Sequence, residues 1–345
     1  MSMKRRRRKK YAVYLALAGL AAAIILTIVG GSYYIRFVGN KEWRKLHSTR
    51  ECKRYYVMIP DDSESVLWQD IYKSAKEEAE KHDVYVELLC DWRAEDYSTL
   101  SYMDIAKTSK VDGIIVKPDG TFKMTEAIDK ANEAGIPVVT ILNDDTASSR
   151  KSFVGVNSYQ MGTTYGRQAL EYIDASTKII TILMDSRESG KELIFKEIKA
   201  TIQAGLPAAL KEQVQIQLKT IKATSTFEAE EVIRDLFVRP EERPDIFICM
   251  NEVYSECACH AIVDYNRVGD IAIIGSYRSE VMLNALRKGT VMTAVALDTE
   301  QMGQCSIEAL EEYYSMGHTN NYFSVGLDII TSENVDQYKK KSDQE

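Results

Sequence analysis

Short apolar runs of strand length alternate with longer helical patterns along most of this chain, which restricts the folds open to it. The first runs lie at residues 55–59, 84–90, 112–116 and 136–142, and they have the continuous apolar character of strands buried on both faces. The segments at residues 67–82 and 125–135 place apolar residues three and four positions apart, as helices do. This alternation predicts a parallel sheet with helices on both faces.

The same pattern occurs again in the second half of the chain. Further apolar runs lie at residues 152–156, 178–184, 214–221, 245–250, 271–275 and 292–296, and each is followed by a helical pattern. The chain has 345 residues, and the part that carries these patterns is larger than a single hydrophobic core usually supports. The repetition therefore predicts two similar α/β lobes.

The N-terminus has a different character. Residues 11–35 carry no charge, and about 25 residues at roughly 1.5 Å rise can cross a hydrocarbon core of about 30 Å. The seven cations at residues 4–10 predict that residues 1–10 are a cytoplasmic basic segment and that the chain after the apolar run lies outside the cell membrane. A cleavable signal peptide is the alternative, but it has a shorter apolar core and a small-x-small site close behind. We therefore expect a retained transmembrane signal anchor at residues 11–35.

Charge and cysteine content exclude other classes. The net charge is −7 and the first ten residues carry +7, so the remainder carries −14. An acidic outer part argues against binding to nucleic acid. Six cysteines scattered through 345 residues do not form a disulfide-dense scaffold. We expect no cofactor and no metal ion, and no convergent nucleophile and base that would indicate an enzyme.

Polar residues follow most of the apolar runs, where ligands bind in open parallel sheets. The loops PDDSESVLW, NDDTASSR, NSYQMG, NEVY, SYRSE and LDTEQMG are rich in Asp, Asn, Ser and aromatic residues. Carboxylates and amides hydrogen-bond hydroxyl pairs, and an aromatic face packs on the C–H surface of a sugar. These loops indicate a polyhydroxylated ligand. The alternative for any single Asp or Asn is a role as turn former or helix cap.

Several stretches resemble the type I periplasmic solute-binding proteins, in the ribose- and galactose-binding group of sugar ABC transporters. They are DGIIVKPDGTFKMTEAIDKANEAGIPVVTIL, FVGVNSYQMG, DIFICMNE, IAIIGSY and LDTEQMG, in this order. The resemblance implies two Rossmann-like, doubly wound lobes joined by three crossovers and closing on a monosaccharide-sized ligand. It places lobe 1 at residues 54–156 and 298–325 and lobe 2 at residues 157–297 and 326–338, with a stalk at residues 36–53 and a charged tail at residues 339–345.

The resemblance also implies candidate ligand contacts in the first lobe. Asp61, Ser65 and Trp68 match first-lobe contacts, with Trp68 in the place of a stacking aromatic residue. Asn143 and Asp144 follow the fourth strand, where this family commonly offers polar groups to sugar hydroxyls.

The remaining candidates lie at the crossovers and in the second lobe. Asn157 and Asp298 lie at the first and second crossovers, Asn251 matches an asparagine that bonds the sugar, and Tyr277 stands where an aspartate is common. No arginine aligns with the one that clamps the ligand from this lobe. Arg187 could supply that cation, or it could be an exposed, solvated side chain.

Together these observations predict a membrane-anchored, extracytoplasmic solute-binding protein for a small polar ligand, a sugar. Its expected protein partner is an ABC permease or a membrane sensor kinase, and the alternative is a ligand-sensing co-receptor for a histidine kinase without a transport role. A DNA-binding regulator built on the same lobes would carry a helix-turn-helix before the first strand, where this chain has its apolar segment.

Overall fold

Two six-stranded sheets organise residues 52–62, 65–89, 98–222 and 226–338, which the computed structural model describes. The first sheet contains β1 (Arg54–Ile59), β2 (Val84–Leu88), β3 (Gly113–Val116), β4 (Val138–Ile141), β5 (Ser152–Gly155) and β11 (Tyr322–Ser324). The strands lie in the order β11-β5-β4-β3-β1-β2, and every neighbouring pair is parallel.

The second sheet repeats this architecture. It contains β6 (Ile179–Asp185), β7 (Gln215–Ile221), β8 (Ile246–Cys249), β9 (Ala272–Ser276), β10 (Thr293–Leu297) and β12 (Leu327–Thr331), in the order β12-β10-β9-β8-β6-β7. The predicted α/β fold with two parallel-sheet lobes is thus confirmed. One detail differs, because β12 runs antiparallel to β10 at the edge of this sheet.

Helices cover both sheets. They are α1 (Val66–Lys81), α2 (Thr99–Thr108), α3 (Phe122–Glu133), α4 (Ser158–Leu170), α5 (Lys191–Gly205), α6 (Ala208–Lys211), α7 (Thr226–Val238), α8 (Glu252–Asp264), α9 (Glu280–Arg287) and α10 (Thr299–Met316), followed by a 3₁₀ turn at Val335–Tyr338. The sequence did not predict α2, which buries only Met103 and Ala106, so its apolar stripe is weak.

The continuous apolar runs form strands because the central strands are covered on both faces. Along β1, Tyr56 and Met58 enter one hydrophobic cluster, whereas Val57 and Ile59 enter another on the opposite face of the sheet. Successive side chains of a strand point to opposite faces, so a strand between two helical layers needs an apolar residue at every position. The same division occurs along β8 in the second lobe.

The chain passes between the sheets at three places. After β5 it enters α4, which packs on β8, β9 and β10 of the second sheet. After β10 it enters α10, which packs on α1, β4 and β5 of the first sheet. It passes over again between β11 and β12. Each lobe is therefore assembled from separate chain segments.

The predicted anchor at residues 11–35 lies outside the described residues, as do residues 1–10, most of the predicted stalk and the tail at residues 339–345. Among the helices that the structure does describe, none combines the length and the apolar character needed to span a membrane.

A close contact between α1 and α10 yields a stability prediction. A Cβ atom on Gly303 would lie 2.5 Å from the carbonyl oxygen of Ile71 and 2.6 Å from the backbone nitrogen of Ala75. Alanine stabilises a helix by about 1 kcal/mol relative to glycine. Forcing the two helix backbones apart, however, destabilises the folded protein by about 1–3 kcal/mol. We expect Gly303→Ala to lower the free energy of unfolding, measured by urea denaturation. The exposed Ser315→Ala on the same helix is the control, and an equal or higher stability of Gly303→Ala would contradict the packing argument.

Candidate ligand-binding cleft between the lobes

The two lobes meet where their strands end, and we call this surface the seam. It is formed by residues that follow β1, β3 and β4 in the first lobe and by residues at or after the ends of β6, β8 and β9 in the second. Asp61 follows β1, and its carboxylate accepts hydrogen bonds from Trp68 Nε1 at 2.6 Å and from Lys117 Nζ at 2.7 Å. Lys117 follows β3 directly. A carboxylate and an ammonium are therefore fixed together at the seam.

Carboxyl groups of the second lobe act on this ion pair. Burial alone would lower the pKa of Lys117, but the negative charges of Asp61, Glu188 and Asp185 outweigh it and raise this pKa above its ordinary value. Burial would likewise raise the pKa of Asp61, yet the Lys117 charge and the hydrogen bonds to Lys117 and Trp68 lower it. Both groups of the pair stay charged around neutral pH.

The second lobe contributes its own ion pair at the end of β6. Arg187 donates two hydrogen bonds to Asp185, from Nε at 2.9 Å and from Nη2 at 2.6 Å. These hydrogen bonds and the negative charge of Asp185 raise the pKa of Arg187. Glu188 differs, because burial and the charges of Asp185 and Asp61 raise its pKa to about 6 despite the opposing charge of Lys117.

Two side-chain hydrogen bonds link the lobes beside α1. Ser65 Oγ donates to Glu252 Oε2 at 2.7 Å, and the hydroxyl of Tyr277 donates to Asp70 Oδ2 at 2.6 Å. Burial raises the pKa of Glu252 to about 7, and the acidic groups Glu256, Asp62 and Asp70 add to this rise while the bond from Ser65 opposes it. Glu252 therefore titrates near neutral pH.

Backbone strain occurs at matching places in the two lobes. Leu142, directly after β4, has φ of 63°, and Tyr277, directly after β9, has φ of 68°. L-residues with side chains of this size rarely adopt positive φ, and such strain persists only where the surroundings impose it. Tyr277 directs its hydroxyl to the seam, whereas the apolar side chain of Leu142 packs against the core of the first lobe.

The structure gives the predicted contacts Asn143 and Asp144 other partners. Asn143 is 2% exposed, and its amide bonds to backbone groups of both lobes, so it has no donor left for a ligand in this conformation. Asp144 forms a two-pronged ion pair with Arg150, which also donates to Asn321. In this structure Asn143 joins the lobes and Asp144 braces the first lobe, and contact with a ligand stays a prediction for both.

Three other predicted contacts cap helices. The Oδ1 atoms of Asn157, Asn251 and Asp298 accept hydrogen bonds from backbone N–H groups three residues further on, at 2.8, 2.8 and 2.9 Å. They are the N-caps of α4, α8 and α10. The alternative role as helix caps is thus present at all three positions, each at the end of a strand.

The indole of Trp68 is not open to a ligand in this conformation. The side chain is 1% exposed and packs with Ile71 and Ala75 in the core of the first lobe, while its only polar atom donates to Asp61. The predicted stacking face is thus occupied by core side chains. Trp68 fixes the orientation of the Asp61 carboxylate instead.

The structure brings Asp61, Ser65, Arg187 and Tyr277 to the seam, where their role as ligand contacts stays a prediction, and Arg187 is exposed there. It also adds residues that the sequence analysis did not select. The added seam residues are Asp70, Lys117, Asp185, Glu188 and Glu252. Lys117 has a clear sequence signal, since it follows β3 directly as Asp61 follows β1. Asp70 has none, because its partner Tyr277 is 207 positions away.

The chemistry available at the seam is charge and hydrogen bonding. In the part of the chain that the structure describes, no group of three or more His, Cys, Asp or Glu residues is arranged to hold a metal ion. The cysteines described, Cys52, Cys249, Cys257, Cys259 and Cys305, are free thiols. Carboxylates, an ammonium, a guanidinium and hydroxyls at the seam suit a ligand rich in hydroxyl groups.

Comparison with known proteins agrees with this architecture. A family model described as "Periplasmic binding protein domain" matches residues 55–317. A protein of Rhizobium meliloti named "Putative rhizopine-binding protein" is 23% identical over 237 residues, which cover 67% of this chain and 75% of that protein.

Solved structures share the fold. An ABC transporter solute-binding protein from Burkholderia graminis C4D1M, in complex with D-arabinose, has a TM-score of 0.72 at 16% identity, over 84% of this chain and 98% of that chain. A chain of the XylFII–LytSN complex has a TM-score of 0.68 at 22% identity, over 81% and 98% of the two chains. At these identities the likeness establishes the fold.

The raised pKa of Glu252 predicts a pH dependence of stability. Its ordinary pKa is 4.5 and its pKa in the folded protein is about 7. Between these values the folded state holds a proton that the unfolded state has released, so the free energy of unfolding falls as pH rises through this window. In Glu252→Gln this contribution is absent. We expect the stability of the wild type, relative to the variant, to fall from pH 5 to pH 8 in urea titrations.

The control for this experiment is Glu280→Gln. Glu280 is also the first residue of a helix, but it is exposed and follows the N-cap Ser279 on α9. Glutamine keeps an oxygen that can accept the hydrogen bond from Ser65, and any change in its strength shifts the Glu252→Gln curve equally at all pH values. The result is therefore the slope with pH of the difference in the free energy of unfolding between wild type and variant. Parallel profiles for the wild type and Glu252→Gln would show that Glu252 has no raised pKa.

Proposed function

Because the chain belongs to the type I periplasmic binding protein family, we propose that it captures a small polyhydroxylated ligand, a monosaccharide, between its two lobes. The observation that carries this proposal is the seam itself. Charged and hydroxyl side chains of both lobes meet there, namely Asp61, Lys117 and Ser65 from one side and Glu188 and Glu252 from the other.

The composition of the seam supports a sugar over an apolar ligand. Sugar hydroxyls both donate and accept, and the seam supplies carboxylates as acceptors, Lys117 as a donor and the Ser65 hydroxyl as either. Hydrogen bonds to charged groups are the stronger ones, so a few of them can fix the orientation of a small ligand. D-Arabinose bound to the structurally similar protein of Burkholderia graminis supports the same ligand class.

Binding, not catalysis, is the role that the charged groups support. The described histidines lie away from the seam groups: His82 at the end of α1 is next to Glu78, His260 is exposed on α8, and His318 follows α10. The seam groups are held in ion pairs and inter-lobe hydrogen bonds, which suits an arrangement that orients a ligand.

We propose that the protein delivers the captured ligand to an ABC permease. The name of the Burkholderia graminis protein, an ABC transporter solute-binding protein, supports this role. A second candidate is sensing: this chain would report its ligand to a membrane partner such as a sensor kinase. The XylFII–LytSN complex supports that candidate, because a protein of the same fold there assembles with a second protein.

We further propose that residues 11–35 hold the protein at the outer face of the cell membrane. The support is their uncharged length and the cations before them. A tethered binding protein would remain close to a permease or a sensor in the same membrane.

A ligand screen tests the proposed capture. We expect one or more sugars from a panel of pentoses and hexoses, D-arabinose among them, to raise the melting temperature of the full chain purified in detergent. The stabilisation should grow by about 1.4 kcal/mol for each tenfold excess over the dissociation constant. Asp61→Asn should weaken binding by about tenfold or more, since hydrogen bonds to charged groups contribute about 1.5–3 kcal/mol.

A matched variant separates this effect from general destabilisation. Asp104→Asn removes a carboxylate that pairs with Lys107 on α2, at 3.0 Å and away from the seam. Its affinity for the sugar, measured by calorimetry, should equal that of the wild type. A panel without any stabilising sugar, or equal affinities of Asp61→Asn and Asp104→Asn, would count against sugar capture at the seam.

The anchor is tested by the N-terminus of the protein extracted from membranes. We expect intact-mass measurement and N-terminal sequencing to find a chain that begins at or near Met1, because the apolar stretch is too long for a signal-peptide core. Carbonate washing, which removes peripheral proteins, is the control for membrane attachment. A soluble product that begins near Ser32 would contradict the anchor.

A further inference from the structure

The side chain of Asn143 connects the two lobes by more hydrogen bonds than any other side chain at the described part of the seam. Its Nδ2 donates to the carbonyl oxygen of Pro118 in the first lobe at 2.9 Å and to that of Arg187 in the second lobe at 3.1 Å. Its Oδ1 accepts from the backbone N–H of Ser189 at 2.6 Å. One buried amide thus spans loops that follow β3 and β6.

The orientation of this amide follows from its partners. Two carbonyl oxygens need the two N–H donors, and one backbone N–H needs the carbonyl oxygen. A flipped amide would place Oδ1 against two carbonyl oxygens. Since Asn143 is 2% exposed, water cannot replace these bonds while the lobes are in contact.

Each of the two loops has a glycine that lies close to another segment. A Cβ atom on Gly120, which has φ of 73°, would lie 3.3 Å from the carbonyl oxygen of Arg187. A Cβ atom on Gly190, with φ of 69°, would lie 2.5 Å from Ser158 Oγ at the start of α4. The bonds of Asn143 therefore lie beside the first passage of the chain between the lobes.

We propose that Asn143 is an inter-lobe clasp, a positioning residue that keeps the loop after β3 against the loop after β6. Other side-chain links between the lobes, from Ser65 to Glu252, from Tyr277 to Asp70 and from Arg278 to Thr299, are single hydrogen bonds. When the cleft opens, the lobes pivot about the clasped side, and the single links beside α1 separate. All three partners of the clasp are protein groups, so it does not depend on which solute the protein captures.

Hydrogen exchange on the full chain in detergent, without added sugar, tests the clasp. The amide of Ser189 should exchange about tenfold or more slowly than an unstructured loop amide, because one hydrogen bond of ordinary net strength corresponds to about a tenfold change in the opening equilibrium. The wild type alone gives this result, so no variant has to fold. Exchange of Ser189 at the rate of an unstructured loop would overturn the proposal.

Variants then separate a clasp from support within one lobe. Asn143→Ala removes all three bonds, and Asn143→Asp keeps the shape but loses both donors. Each should speed exchange at residues 186–190 of the second lobe by about tenfold. Asn132→Ala is the control, because that amide bonds only to Ile128 within α3. Faster exchange in the first lobe alone, or none in either folded variant, would show that Asn143 does not hold the lobes.

Discussion

The parallel direction of the strands decides which residues can reach the seam. In a parallel sheet all carboxyl ends lie at one edge, and in this protein residues after β1, β3 and β4 of the first lobe meet residues at the ends of β6, β8 and β9 of the second. The central strands β1, β3, β4 and β8 are buried on both faces, so these chain segments become polar and exposed mainly after their strands end. The hydrophobic core and the charged seam are therefore two consequences of one topology.

The same edge also holds the beginnings of helices, which makes strand-end polar residues hard to interpret from sequence. Asn251 looks like a ligand contact and like a helix cap, and its bond to the backbone of Tyr254 three residues later shows the second role directly. A cap uses one oxygen of the side chain, so capping and ligand binding are compatible at such a position. Local sequence predicts the cap because both partners lie within one turn.

The sequence predicts strands, helices and lobes well because hydrophobic periodicity is a local signal. Long-range partners lack such a signal: the amide of Asn143 bonds to residues 25, 44 and 46 positions away. Trp68 shows the same limit, since an aromatic residue after a strand can stack on a ligand or enter the core, and only the packing around Ile71 decides. The weak stripe of α2 and the three-residue strand β11 are missed because neither offers enough periodic positions.

The contacts across the seam bear on how a ligand could be bound. The bonds from Ser65 to Glu252 and from Tyr277 to Asp70 join the lobes directly, so a ligand that enters between these groups must supply hydrogen bonds that replace them. Binding free energy is then the difference between the new contacts and the lost ones, and only a ligand with groups for both lobes gains from closure. A ligand that contacts one lobe alone forfeits the inter-lobe bonds without compensation. For the proposed sugar ligand, this balance favours hydroxyl groups on opposite sides, because each lobe then receives a hydrogen bond in place of the one that it loses.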